Sequence, residues 1–297
     1  SELLKEIHED VYVEYVRRLT AMGFRGYIDS DTYINGWDSW IAAVTAFELS
    51  SRAAQIAAST GGELVFALVR PPGHHAGRAG RALGAPTQGF CIFNNAAAAA
   101  LTALRMGLKP VLILDFDLHH GNGTQEIFWY NPDVIHVDLH EDGIYPGTGG
   151  VEDTGGAEGT KINIPLRSGT RDNDYIYALT AVLKPLADFF KPRFIVISAG
   201  FDAYAGDGLG DLNITERSYR CIGAILKSVG TPVVAVLEGG YSVGLKMGLP
   251  AFIEGYIGGD LEACRYNPEF VSRATRSTVK RLGDLLKGIH GLDLGDV

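Results

Sequence analysis

Cysteine is scarce in this chain: Cys91, Cys221 and Cys264 are all that 297 residues contain. No two share a C-x-x-C spacing, so neither a thiolate zinc knuckle nor a thioredoxin-like redox motif is written here. So sparse and odd a count reads as reduced thiols in an intracellular, cytoplasmic protein. Positive charge is also short, with 26 Lys and Arg against 35 Asp and Glu and a net charge of −9. That balance argues against a nucleic-acid surface and is compatible with a cationic substrate. Apolar runs stay strand-sized, far below the ~20 residues of a membrane-crossing helix, and no secretory leader pattern is present. Repeats, low-complexity tracts and linkers are missing too, so residues 1–297 read as one domain of undetermined oligomeric state. The first residue is Ser1 rather than Met, which reads as trimming or processing.

What the chain does contain is ordinary for a folded protein: 46% apolar and 21% charged residues, enough to bury a large core without staples. Six short runs, "ELVFALV", "PVLILDF", "DVIHVDL", "KINIPL", "RFIVISA" and "PVVAVLE", are predominantly apolar. Such runs suit strands covered on both faces, as in a parallel sheet between helices. Helical patterning falls between them, over 2–19, 39–59, 94–106, 123–130, 172–190, 215–228, 242–256 and near 268–287. Pro185 inside the 172–190 segment is expected to kink it. The alternation predicts an α/β fold.

Polar residues and glycines follow four of these runs directly, in "LVRPPGHHAG", "LILDFDLHHGNG", "IVISAGFDAYAGDG" and "VAVLEGGYS". In an open parallel sheet, ligands bind beyond the carboxyl ends of the strands, so the four loops are expected on one rim. That rim collects His74, His75, Asp115, Asp117, His119, His120, Asn122, Asp202, Asp207, Glu238 and Tyr241. Asp117 and His119 are two apart, and on a regular strand both face one way. With Asp202 from the "SAGFD" strand end they form a three-ligand set of imidazole and carboxylates, the pattern of a catalytic zinc with an open position. The same hard set also admits iron(II). Singly, each residue has a plainer explanation: Asp115 can cap a backbone amide, and the glycines of "EGGY" can serve a turn.

Taken together, "RPPGHHAG", "GFCIFNN", "DFDLHHGNGTQEIF", "YPGTG", "SAGFDA" and "LEGGY" resemble, in order, the signature blocks of the histone deacetylase superfamily, from about residue 8 to about 257. "HHGNG" and "LEGGY" resemble class II members; class I members carry Asp and Gly where this chain has Asn122 and Glu238. The resemblance implies one α/β domain around a mostly parallel sheet of about eight strands flanked by helices, shared with arginases. It implies a zinc-dependent amidohydrolase that removes acetyl groups from lysine side chains of proteins or peptides, or from acetylated polyamines. By that resemblance Asp117, His119 and Asp202 hold one catalytic Zn2+, with Fe2+ as the alternative. His74 and His75 are the tandem catalytic histidines, partnered by Asp115 and Asn122. Tyr241 bonds the substrate carbonyl, Gly89 accepts from the substrate amide, and Phe90 and Tyr145 line the acyl-lysine tunnel, with Leu209 and Gly240 also on the substrate. Tyr145 stands where Phe is commoner. A structural K+ or Na+ is implied at backbone oxygens of Asp115, Asp117, His119, Asp138 and Leu139, with His120 beside it.

Two departures from the family stand out. "RAGRALGAPTQ", between "GHHAG" and "GFC", is longer than in many relatives and is expected at the tunnel mouth. The chain also begins where the family usually has several dozen residues to go, so the first strand and an active-site loop are expected to be lacking, exposing a sheet edge. A polyamine-specific relative carries Glu at the position of Leu209, and Asp29 or Asp31 is the candidate rim carboxylate here. An acyl-lysine reader would replace Tyr241 by His, and a two-metal arginase-like hydrolase would leave His74 and His75 unexplained.

Overall fold

The computed structural model describes residues 2–156 and 159–295; Ser1, where trimming is read, lies outside them. In chain order the strands are β1 (Arg25–Tyr27), β2 (Tyr33–Asn35), β3 (Leu64–Ala67), β4 (Ala76–Gly77), β5 (Gly80–Arg81), β6 (Val111–Asp115), β7 (Val134–Glu141), β8 (Lys161–Leu166), β9 (Phe194–Ala199) and β10 (Val233–Leu237). The helices are α1 (Glu2–Ile7), α2 (Asp10–Ala21), α3 (Gly36–Ser59), α4 (Asn95–Arg105), α5 (Asn122–Ile127), α6 (Asp172–Phe190), α7 (Glu216–Val229), α8 (Val243–Gly258) and α9 (Arg273–His290). Six strands form one parallel sheet in the order β3-β10-β9-β6-β7-β8.

The continuous apolar runs are explained by two cores, one on each face of that sheet. On β6, Leu112 and Leu114 pack with residues of α6, α7, α8 and α9, whereas Val111 and Ile113 pack with α1, α2, α3 and α4. Alternate side chains of a strand point to opposite faces, so a strand covered on both sides is apolar wherever it meets either core, and a polar residue buried in it, such as Asp115 at the end of β6, needs hydrogen-bond partners. All five β6 residues are buried.

The sheet has six strands among the described residues, not eight. The sequence holds six apolar runs; the higher number came only from the resemblance. β1 with β2, and β4 with β5, are short antiparallel ribbons outside the sheet. β3 stands at an edge.

The helix expected over 2–19 is two helices, because His8 turns inward between them. Its Nδ1 lies 2.8 Å from the Gly77 carbonyl and its Nε2 accepts from Asn94 N–H at 3.0 Å. α6 runs through Pro185 without interruption. The thiol reading is corrected: Cys221 on α7 and Cys264, in a 3-10 turn after α8, form a disulfide with Cα atoms 4.8 Å apart. They are 43 positions apart in the chain, so no local spacing announces a pair that only helix packing brings within bridging range. Cys91 is free and buried.

Candidate active site

The four polar loops follow β3, β6, β9 and β10, which are contiguous in the sheet. Parallel alignment puts all four strand ends on one rim, and the strand order, unreadable in the sequence, makes them neighbours.

β6 stops at Asp115, so Asp117 and His119 lie in the turn beyond it. A side-chain turn, not strand alternation, brings them together: Asp117 Oδ1 accepts from the His119 N–H at 2.9 Å, an arrangement Asp favours in turns. His119 Nδ1 then lies 3.3 Å from Asp117 Oδ1 and 3.4 Å from Asp202 Oδ2. The three residues offer ligand atoms within 4.8 Å of one another. Both carboxylates are pinned from behind, Asp117 Oδ2 by Gly239 N–H at 2.7 Å and Asp202 Oδ1 by Leu118 N–H at 3.0 Å. A Cβ at Gly239 or Gly200 would intrude on them.

The electrostatics call for a cation here. Asp117 and Asp202 are 1% and 2% exposed. Burial, with Asp117 nearby, pushes the Asp202 carboxyl up. Burial works against charge on His119, yet Asp117 and Asp202 raise its pKa to about 9. Two buried carboxylates at this range need a positive partner; protonated His119 supplies one, and with that proton displaced the imidazole and the carboxylate oxygens form a donor set that suits a divalent ion.

Beside this set lie two histidines in different environments. His74 Nδ1 is 3.0 Å from Asp115 Oδ2. Burial disfavours its charged form, but Asp117, Asp115 and Glu238 together hold its pKa well above the usual value. His75 Nδ1 is 2.7 Å from Asn122 Oδ1, and the Asn122 amide donates to the Ala82 carbonyl at 2.9 Å. That second bond fixes which end of the amide faces His75, so His75 carries its proton on Nδ1 and offers Nε2 as a base. Burial, then the neighbouring His74 and His119, hold its pKa well below the usual value. Asp115 does two jobs, because its Oδ1 also accepts from the Asp117 N–H at 3.1 Å.

These groups open into a pocket of about 230 Å³ lined by His74, His75, Gly89, Phe90, Asp117, His119, Tyr145, Asp202, Leu209 and Tyr241, with Asp31, Pro72 and Gly239. Asp115 and Asn122 stand behind the histidines. Gly89 has φ +54°, and a Cβ there would run into the His75 ring. Phe90 meets Tyr241 edge-on at 5.9 Å. The Tyr145 ring stands 4.9 Å from His75, and its hydroxyl donates to the Thr87 carbonyl at 3.0 Å. Thr87 Oγ1 in turn donates to Asp31 at 2.5 Å. The long 78–88 segment is thereby tied to the pocket wall through Tyr145. Asp29 is not in the cavity lining and accepts from the N–H groups of Asp31, Thr32 and Gln88. Gly240 is not in the lining; its φ of +107° serves the turn against Phe201.

Three residues escaped the sequence reading or received no role in it. Gly239 holds Asp117. Asp207 accepts from the N–H groups of Tyr241, Ser242 and Gly244 and so sets the Tyr241 turn. Arg70 opens the quoted "RPPG" block, but its partners come from the β10 loop, which no spacing reveals.

Of the residues whose backbone is expected around a monovalent cation, Asp115 and Asp138 belong to a buried polar row in the sheet. Ser198, Asp115, Asp138 and Asn163 pair in register across four strands, forming a buried polar row. Asp115, His136 and Asp138 offer ligand atoms within 4.8 Å of one another. Ser198 Oγ, Asn163 Oδ1 and His136 Nδ1 have no hydrogen-bond partner, while His136 Nε2 lies 3.5 Å from Asp138 Oδ2; each unpartnered buried group costs about 1–3 kcal/mol, which an ion or ordered water would offset. The Leu139 side chain belongs to the apolar core on the opposite face, leaving only its backbone for such a role. His120 is bonded to Thr148 Oγ1 at 2.8 Å and Gln125 Oε1 at 3.1 Å.

Comparison with known proteins agrees with this geometry. Residues 1–252 match the histone deacetylase domain family. The chain is 51% identical over 260 residues to an uncharacterized protein of Methanocaldococcus jannaschii, covering 86% of this chain and 73% of that one. It is 42% identical over 258 residues to histone deacetylase 15 of Arabidopsis thaliana, covering 81% of this chain but 43% of the plant protein. A probable deacetylase of Archaeoglobus fulgidus is 38% identical over 293 residues, covering 93% and 78%. The crystal structure of the HDA15 HD domain superposes with a TM-score of 0.86 at 37% identity, covering 97% of this chain and 78% of that one. With the fold, the block order and the family match in agreement, the chain belongs to the histone deacetylase family and is a hydrolase acting on amides.

Proposed function

We propose that this protein is a zinc-dependent deacetylase that hydrolyses the acetyl-amide of acetylated lysine side chains in peptides or proteins. The observation that carries the reading is the placement of His75 Nε2 and the Asp117–His119–Asp202 set in one pocket whose mouth is flanked by Phe90 and Tyr145. Asp117, His119 and Asp202 would hold the ion, which when bound would polarise the acetyl carbonyl and acidify an attacking water. His75, kept neutral by burial, takes the proton of that water through Nε2. His74, held as imidazolium by Asp115 and Asp117, favours the negative charge that develops and returns a proton to the departing amine. Tyr241 donates its hydroxyl to the carbonyl oxygen, which gains charge as the carbon becomes tetrahedral. The amide C–N bond breaks and acetate and free amine leave. The buried row at Asp115 and Asp138 is the proposed seat of a structural K+ or Na+.

The character of the pocket mouth supports the lysine reading over a polyamine. Its mouth carries Leu209, 42% exposed, and a single carboxylate, Asp31, whose oxygens already accept from Thr87 and Thr32. Such a rim suits an aliphatic stem better than a second ammonium. The test compares acetate release from an acetyl-lysine peptide and from an acetylated polyamine, with zinc-loaded and chelator-treated protein. Metal-dependent turnover of the peptide is expected. Turnover of the polyamine alone would overturn the substrate assignment, and tight peptide binding without turnover would favour a reader.

A further inference from the structure

We infer that Arg70 is a positioning residue for the reaction: it clamps the loop bearing Tyr241 to the loop bearing His74 and His75 and holds the Tyr241 ring over the pocket. The inference goes beyond the deacetylase reading but rests on it.

The two loops are cross-linked in both directions. From the β3 loop, the Arg70 guanidinium donates to the Glu238 carbonyl at 2.6 Å. From the β10 loop, the buried Glu238 carboxylate accepts the Gly73 N–H at 2.7 Å and the His74 N–H at 3.1 Å. The separation between Tyr241 and the histidines is therefore set by Arg70 and Glu238 together. The same guanidinium lies over the Tyr241 ring, 4.7 Å from its centroid.

Tyr241 needs such a partner. Its backbone is fixed by Asp207, but its side chain is 44% exposed. Phe90 meets the ring edge-on, and an edge contact leaves rotation about the side-chain bonds open. A planar cation over the ring face removes that freedom, and guanidinium does this better than ammonium because it stacks flat. Burial pushes the Tyr241 hydroxyl above its usual pKa and Asp117 and Asp202 add to this, whereas Arg70 pulls the other way and favours hydrogen-bond donation.

The test is steady-state kinetics of zinc-loaded wild type, R70M, R70K and R70A on an acetyl-lysine peptide. We expect R70M to lose about 10–100-fold in kcat with KM changed less than about threefold, because Arg70 touches Tyr241 and not the substrate. R70K keeps a donor for the Glu238 carbonyl but no flat face, and falls between. Millimolar guanidinium chloride should restore part of the kcat of R70A while leaving wild type and Y241F unimproved, a response that a merely structural role would not give. Wild-type kcat in R70M overturns the inference, as does a loss carried by KM or an R70A that guanidinium does not rescue. Should R70M fail to fold, R70K with wild-type kcat overturns it equally. A wild type inactive on every acetylated amide takes down the deacetylase reading and this inference together; an active wild type with an equally active R70M takes down only the role of Arg70.

Discussion

Replacing Gly239 by alanine is a sharp test of the proposed ion site, because the added methyl enters the space between its two carboxylates. An ideal Cβ there would stand 2.5 Å from Asp117 Oδ2 and closer still to Asp202 Oδ2. Comfortable carbon contacts lie near ~3.5 Å, so each oxygen would have to retreat by roughly 1 Å. Neither is free to do so. Asp117 is held by the N–H groups of Gly239 and His119, and Asp202 by that of Leu118. Overpacking of this kind costs about 1–3 kcal/mol, which a chain of this size tolerates with its fold intact. Displaced donor oxygens are a heavier penalty for a divalent ion, and disturbing the atoms that orient metal ligands typically costs 10–100-fold in affinity. G239A is therefore expected to fold, to show zinc affinity weaker by about that factor or more, and to lose turnover in proportion to ion occupancy. Isothermal titration of the chelator-stripped protein with zinc, with circular dichroism as the folding control, measures each part. A folded G239A that binds zinc with wild-type affinity would refute the placement of the ion between Asp117 and Asp202.

Other expectations follow from the same geometry. Y241F should lose about 10²–10³ in kcat with an unchanged thermal midpoint, since an oxyanion donor is removed and no buried bond is broken; wild-type kinetics would remove Tyr241 from the mechanism. Thiol titration of the denatured chain should count one thiol without reductant and three with it, and reduction should destabilise the fold by up to about 4 kcal/mol for a 43-residue separation; three thiols without reductant would show the bridge does not form. Acid should weaken the fold through His8, whose pKa burial pushes down to about 4, against an opposing hydrogen bond to Gly77. Because the folded value lies below the unfolded one, the unfolded chain takes up the proton first: the contribution is complete above about pH 6.5, is lost as pH falls to about 4, and amounts to about 3 kcal/mol. Denaturant titrations of wild type and H8Q across that window check it, and equal slopes would refute it.

Much of this could be read in the residues because the chemistry is written in short blocks. Strands covered on both faces are apolar along most of their length, so β3, β6, β7, β8, β9 and β10 stand out, although β6, β7 and β8 also bury Asp115, His136, Asp138, Lys161 and Asn163. Polar clusters at four of their ends mark the rim. The number of strands did not come from the residues, and the two strands beyond the six apolar runs are not in the described sheet. The helix expected over 2–19 failed at His8, whose partners, Gly77 and Asn94, are about seventy or more positions away.

The sequence by itself determined an α/β fold, the family, and the residue types available for an amide-cleaving site, because periodicity and motif order are local properties of the chain. Tertiary structure alone decided which of those residues meet. It set the order β3-β10-β9-β6 that makes four loops neighbours, showed that Asp117 and His119 converge through a turn rather than a strand, closed the Cys221–Cys264 bridge, and laid Arg70 over Tyr241. Each of these depends on distances between segments far apart in the chain, and such distances are fixed by how the two faces of the sheet are packed, which no local pattern encodes.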